Sequence, residues 1–127
     1  MEIEVIDGAF SVCKIADARL VDMRRPFTFL SVTDQEPSLV CPAALVPEDA
    51  LAREDGWALL RIAGPLDFSL IGILARISAV LADAGISMFA ISTFDTDYLM
   101  VKRDMLQAAE AALQAHGYVL HGQTGKG

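Results

Sequence analysis

An α+β fold of ferredoxin-like order, β-α-β-β-α-β, is predicted for residues 56–121, preceded by a reduced half of the same kind over residues 1–55 and followed by a flexible tail at 122–127. Three observations predict it. Leu70, Ile73, Leu74, Ile77 and Leu81 recur at helical spacing, the pattern of a helix with one buried face. Strand-like apolar runs, Trp57–Ile62, Ile86–Thr93, Tyr98–Lys102 and Tyr118–His121, flank that helix and a second one in the order of a split βαβ unit. A short internal echo then sets Ser31-Val32-Thr33-Asp34-Gln35-Glu36 against Ser92-Thr93-Phe94-Asp95-Thr96-Asp97, an offset of 61 residues (92 − 31).

In chain order, an acidic lead-in precedes a half-alternating strand at Ala9–Ile15. Ala16–Arg25 fits a short helix or an irregular loop, and Pro26 stops any helix. Phe27–Thr33 and Ser38–Cys41 read as strands around the turn Asp34-Gln35-Glu36-Pro37. Pro47 with acids behind it suits a short helix start, closed by Gly56. Trp57–Ile62 is nearly all apolar, as a strand buried on both faces would be, with Arg61 the exception. The periodic helix is expected to begin near Ser69 to Gly72, with Arg76 and Asp83 on its outer face and Gly85 as its cap. Asp104 and Gln107 resemble a capping box for a helix that turns Leu106, Ala109 and Leu113 inward and ends at His116-Gly117.

Composition narrows the function. The 127 residues are 54% hydrophobic and 21% charged, which makes a packed globule. A net charge of −7 disfavours nucleic acid and anionic membrane surfaces as partners. The acidic start is unlike a secretory leader and no apolar run is long enough for a membrane span, so a cytoplasmic protein is expected. Cys13 and Cys41 each lie in an apolar strand-like run and read as buried free thiols. No nucleophile elbow, phosphate-binding glycine loop or metal-ligand spacing occurs, and the only histidines, His116 and His121, lie near the C-terminus. A protein without catalysis, cofactor or metal is the expectation.

The candidate site is the polar tip Ser92–Asp97. Ser92, Thr93 and Thr96 bring hydroxyls, Asp95 and Asp97 carboxylates, and Phe94 an apolar wall. Turn chemistry alone accounts for Asp and Thr there. The adjacent helix start adds a reason to read more: its unpaired N–H groups suit a carboxylate. A zwitterion would then be held at both ends, its carboxylate at the helix start and its cation at Asp97. Asp67 is also explained as an N-cap, and Gly72 in an apolar helix start suggests a close approach.

These residues carry a family resemblance. Gly64-Pro65-Leu66-Asp67-Phe68-Ser69, the helix end Ala84-Gly85-Ile86-Ser87, and the run Ile91–Tyr98 resemble the ACT domain, a βαββαβ ligand-binding module of amino-acid metabolism. More narrowly, the chain is similar to small stand-alone bacterial proteins of two ACT-like halves, and in its Ser-Thr-Phe-x-x-Asp run to tandem-ACT sensors of animal cells. The resemblance implies an amino acid or similar small zwitterion bound at the junction of two such units, with self-association, a homodimer included, through sheet edges or helices. By position it implies ligand contacts at Thr93, Phe94 and Asp97, at Gly72 and Ile73, and at Ser31 and Val32 from the first half. The Asp67-to-Gly72 spacing is wider than in common members of the family. A protein-interaction or oligomerisation module with a vestigial ligand site is the alternative.

Overall fold

The computed structural model describes residues 1–63 and 72–122, in the order β1 (Glu2–Lys14), β2 (Phe29–Val32), β3 (Pro37–Pro42), β4 (Ala52–Ile62), α1 (Ile73–Asp83), β5 (Phe89–Ser92), β6 (Asp97–Lys102), α2 (Leu106–Ala115) and β7 (Val119–Gly122). Gly64-Pro65, Asp67, Ser69, Leu70 and the tail 123–127 lie outside the described residues. The chain divides into two units: Gly8–Trp57, and Met1–Asp7 with Ala58–Gly127. The first seven residues thus group with the later unit, where the expected halves met at residues 55–56.

In the unit Met1–Asp7 with Ala58–Gly127, an α+β unit of ferredoxin-like kind, α1 and α2 pack on one face of a largely antiparallel sheet. α1 buries Ile73, Ile77 and Leu81, and α2 buries Ala109 and Leu113. Both helices pack with Ile3, Ala58, Leu60, Ile62, Leu99 and Val101 in one core. Leu59 and Met100 are also fully buried, so β4 and β6 hide both faces, as the apolar run had implied. Gly85, at φ 77°, ends α1, and the Ile86 N–H bonds the Leu81 carbonyl at 2.9 Å in the six-residue closure that a left-handed glycine permits. α2 starts differently from expectation. A 3-10 turn at Arg103–Met105 leads into it, Met105 is its N-cap, and no side chain caps it, so the Asp104 capping box is not formed.

The strand order in this unit is β7-β1-β4-β6-β5. A plain βαββαβ unit would set β7 against β4. Here the start of β1 stands between them, with β7 parallel to it and Ile3 opposite Leu120. The acidic lead-in is therefore a strand. Its acids alternate with apolar residues so that Ile3 is fully buried while Glu2 stays exposed.

The unit Gly8–Trp57 has the strand order β2-β3-β1-β4. Phe10 pairs with Pro42 and Cys13 with Leu39 across β1 and β3. In place of two helices it has 3-10 turns, at Ala18–Leu20, capped by Asp17, and at Ala43–Leu45. Its core is the small cluster Cys13, Ile15, Leu39 and Cys41. Both cysteines are free and buried. The helix expected from Pro47 does not form. Ala50 N–H closes a turn on the Pro47 carbonyl at 3.1 Å, and β4 has begun by Ala52. Too few residues separate β3 from β4 for a helix, which is marginal at one turn without packing. Gly56 instead sits inside β4 at φ 83°, a left-handed conformation that costs a glycine little.

The two hairpins repeat each other at 60 residues, one fewer than the sequence echo suggests. Phe29 pairs with Val40 and Phe89 with Met100 (89 − 29 = 100 − 40 = 60). Val32 corresponds to Ser92 and Ser31 to Ile91, so the expected match of Ser31 with Ser92 is out by one. Like residues mislead here because a one-residue slip exchanges the two faces of a strand.

Candidate functional site

The β5–β6 turn is built by its threonines. Thr93 N–H donates to the Thr96 carbonyl at 2.9 Å and Thr93 Oγ1 donates to the same oxygen at 3.1 Å. The equivalent turn in the other unit repeats both bonds, from Thr33 N–H at 3.1 Å and Thr33 Oγ1 at 3.2 Å to the Glu36 carbonyl. Thr96 is the one inward residue of the tip, 8% exposed, and its hydroxyl donates to the Ile62 carbonyl at 2.7 Å. That bond ties the turn to the last residue of β4. Around this anchor Thr93, Phe94 and Asp95 face solvent, with Phe94 81% exposed.

Ser92 and Asp97 are cross-strand partners, and Ser92 Oγ donates to Asp97 Oδ1 at 2.5 Å. The hydroxyl holds one carboxylate oxygen and orients the group. Five of the expected site residues, Ser92, Thr93, Phe94, Asp95 and Asp97, therefore share one hairpin end. Gly72 and Ile73 open α1. The Ile73 side chain is buried in the core, which leaves its backbone N–H as its polar group at the helix start. α1 runs from that start to Gly85, and β5 returns to Ser92, which brings the helix start and the hairpin tip to the same end of the sheet. Asp67 lies outside the described residues, and Ser31 and Val32 end β2 of the other unit, with Val32 66% exposed.

Two neighbours were not foreseen. Gly72 is left-handed at φ 75°, and a Cβ built on it would lie 3.2 Å from Arg76 Nη1. The guanidinium thus folds back over the helix start, where it adds a cation to the positive end of the helix dipole. The spacing of four from Gly72 is the signal that finds it. Arg61, the charged exception in β4, donates from Nε to Glu4 Oε1 at 2.7 Å and lies over the Tyr98 ring, 5.9 Å from its centroid. Glu4 and then Tyr98 hold its pKa above the ordinary arginine value. Among the described residues no group of three His, Cys, Asp or Glu side chains could hold a metal ion, and no helix is long and apolar enough to cross a membrane.

A model of the ACT domain matches residues 52–115. Over 72 residues the chain is 42% identical to the cytosolic arginine sensor for mTORC1 subunit 1 of Homo sapiens, covering 54% of this chain and 22% of the sensor. The Mus musculus sensor is 34% identical over 96 residues, 70% of this chain and 29% of that protein. The chain thus matches less than a third of the length of these relatives. Among solved structures, a protein from Agrobacterium tumefaciens superposes with a TM-score of 0.85 at 27% identity, over 96% of this chain and 92% of that one. The ligand-free regulatory subunit of aspartate kinase from Thermus thermophilus shares the fold at a TM-score of 0.56 and 14% identity, over 86% and 91% of the two chains. With β4, α1, β5, β6 and α2 all inside the matched stretch, the chain belongs to the ACT domain family.

Proposed function

We propose that this chain is a non-catalytic regulatory module that binds an amino acid, with the ligand's cation on Asp97 and Asp95 and its carboxylate at the start of α1 beside Arg76. The observation that carries the reading is the Ser92–Asp97 hydrogen bond, which fixes a carboxylate at an exposed hairpin end. A cationic side chain suits that pair of acids, and the similar sensor proteins are named for arginine. Thr93 and Phe94 complete this wall, and Ser31 and Val32, on the equivalent hairpin of a reduced ACT-like unit, are proposed as further contacts. Asp67 is proposed as a further ligand contact. The same reading takes the protein as cytoplasmic and as forming a homodimer.

Calorimetric titration of the whole chain with the amino acids, arginine first, tests the binding. Saturable heat is expected, weakened about tenfold or more by Asp97→Ala, since a lost charge-assisted bond is worth about 1.5–3 kcal/mol. Absence of heat and of any thermal shift at millimolar ligand, in folded protein, overturns it.

Exposed Phe94 and Val32 favour a second reading, a protein-interaction module. Its mark is self-association, measured by sedimentation, that Phe94→Ser abolishes and Asp97→Ala leaves intact, in a chain that binds no amino acid.

A further inference from the structure

The unit Gly8–Trp57 holds a cleft of about 300 Å³ that the proposed amino-acid site does not use. Leu39 and Cys41 of β3 line it, with Val21 and Leu45 from the segments that carry the two 3-10 turns. In the other unit the corresponding residues, Leu99 and Val101, are sealed in the core with α1 and α2. Short turns stand in place of those helices here, and they cover Leu39 and Cys41 less completely, leaving a hollow beside buried strand residues. Its volume is at the lower end of small-molecule pockets.

The charged residues of the lining are Asp22 and Arg25, both on the loop 17–25. The loop 17–25 carries two aspartates and three arginines. Asp17 accepts two hydrogen bonds from the Arg19 guanidinium at 3.0 and 2.9 Å, and Asp22 accepts two from Arg24 at 2.9 and 3.2 Å. Arg25 is the arginine left over. Its guanidinium makes no side-chain hydrogen bond among the described residues; its charge helps to lower the Asp22 pKa, and it lines the cleft together with Thr28. The Cys41 thiol is pushed up to about 11, first by burial, so it stays neutral and presents an apolar wall.

We propose that this cleft is a second ligand site, one that takes a small apolar carboxylic acid, with Arg25 binding the carboxylate and Val21, Leu39, Cys41 and Leu45 enclosing the hydrocarbon. An amine of the same shape meets the excess cation and finds Asp22 already engaged by Arg24. A short anion without a tail gains only an exposed ion pair, which is worth little in water. The tail and the charge are both required.

Octanoate is the probe, with octylamine and acetate as its controls, titrated into the whole chain by calorimetry while maleimide labelling of Cys41 is followed by peptide mapping. Octanoate is expected to bind saturably and to slow Cys41 labelling, and acetate and octylamine to do neither. Arg25→Gln, at an exposed position, is expected to weaken octanoate about two- to fivefold, and Asp97→Ala to leave it unchanged. Failure of octanoate to bind folded protein overturns the proposal. So does equal binding of octylamine or acetate, unchanged affinity in Arg25→Gln, or loss of octanoate binding in Asp97→Ala.

Discussion

Thr96→Val removes one hydroxyl from the hairpin tip and keeps the shape of the side chain. The hydroxyl donates to the Ile62 carbonyl at 2.7 Å from a residue 8% exposed. The bonds internal to the turn survive, because Thr93 donates to the Thr96 backbone carbonyl. The substitution therefore isolates the tie between the turn and β4. A hydrogen bond in this setting contributes about 1 kcal/mol net, and an acceptor left without its donor raises the cost to about 1–3 kcal/mol. Urea unfolding of the whole chain followed by circular dichroism is expected to show a loss in that range. Amide exchange at Thr93 should accelerate, since the tip is then held only by its own turn. Thr96→Ser, which keeps the hydroxyl, should retain slow exchange even though it loses a methyl group. A loss below about 0.5 kcal/mol in Thr96→Val with unchanged exchange at Thr93 would refute the reasoning, because surface substitutions without a structural role fall in that band.

Two further perturbations probe the cores. Raising the pH should weaken the fold between the ordinary thiol value of 9.0 and about 11: burial raises the Cys41 pKa, so its contribution is fully present below the unfolded value and is lost as pH climbs through the folded one. Alkaline unfolding that is identical in Cys41→Ala and in the parent chain counts against this. Leu81→Ala, at a fully buried position of α1, should cost about 2–5 kcal/mol by urea unfolding, and a cost under about 1 kcal/mol would show that the α1 face is not packed as described.

Much of this fold is legible in the chain because its strongest signals are local. The period of Ile73, Ile77 and Leu81 marks α1, and the Asp-Gln-Glu-Pro turn separates β2 from β3. The errors arise where a local signal competes with distant pairing. Glu2, Glu4 and Asp7 read as an acidic lead-in, yet Ile3 and Ile6 between them are buried, a pattern that becomes decisive only once β7 supplies a partner. Pro47 and the acids after it have the chemistry of a helix start, but the return of the chain into β4 leaves no length for one. At the candidate site the hydroxyls and carboxylates were visible as types. That Ser92 bonds Asp97, and that Thr96 is the buried anchor, depends on the hairpin register. The Arg61–Glu4 pair joins residues far apart in the chain, beyond the reach of any spacing rule.

The parallel pairing of residues 2–5 with residues 119–122 has a kinetic meaning. During synthesis the opening of β1 emerges almost a whole chain length before β7 exists. Until then that side of β1 is an unpaired strand edge, the kind that templates wrong associations. Closing so large a loop is entropically slow, and topologies dominated by distant contacts fold late. Glu2, Glu4 and Asp7 place like charges along the waiting strand, where they repel a second copy. The sheet below the hairpin tip is then completed only when residue 122 is available.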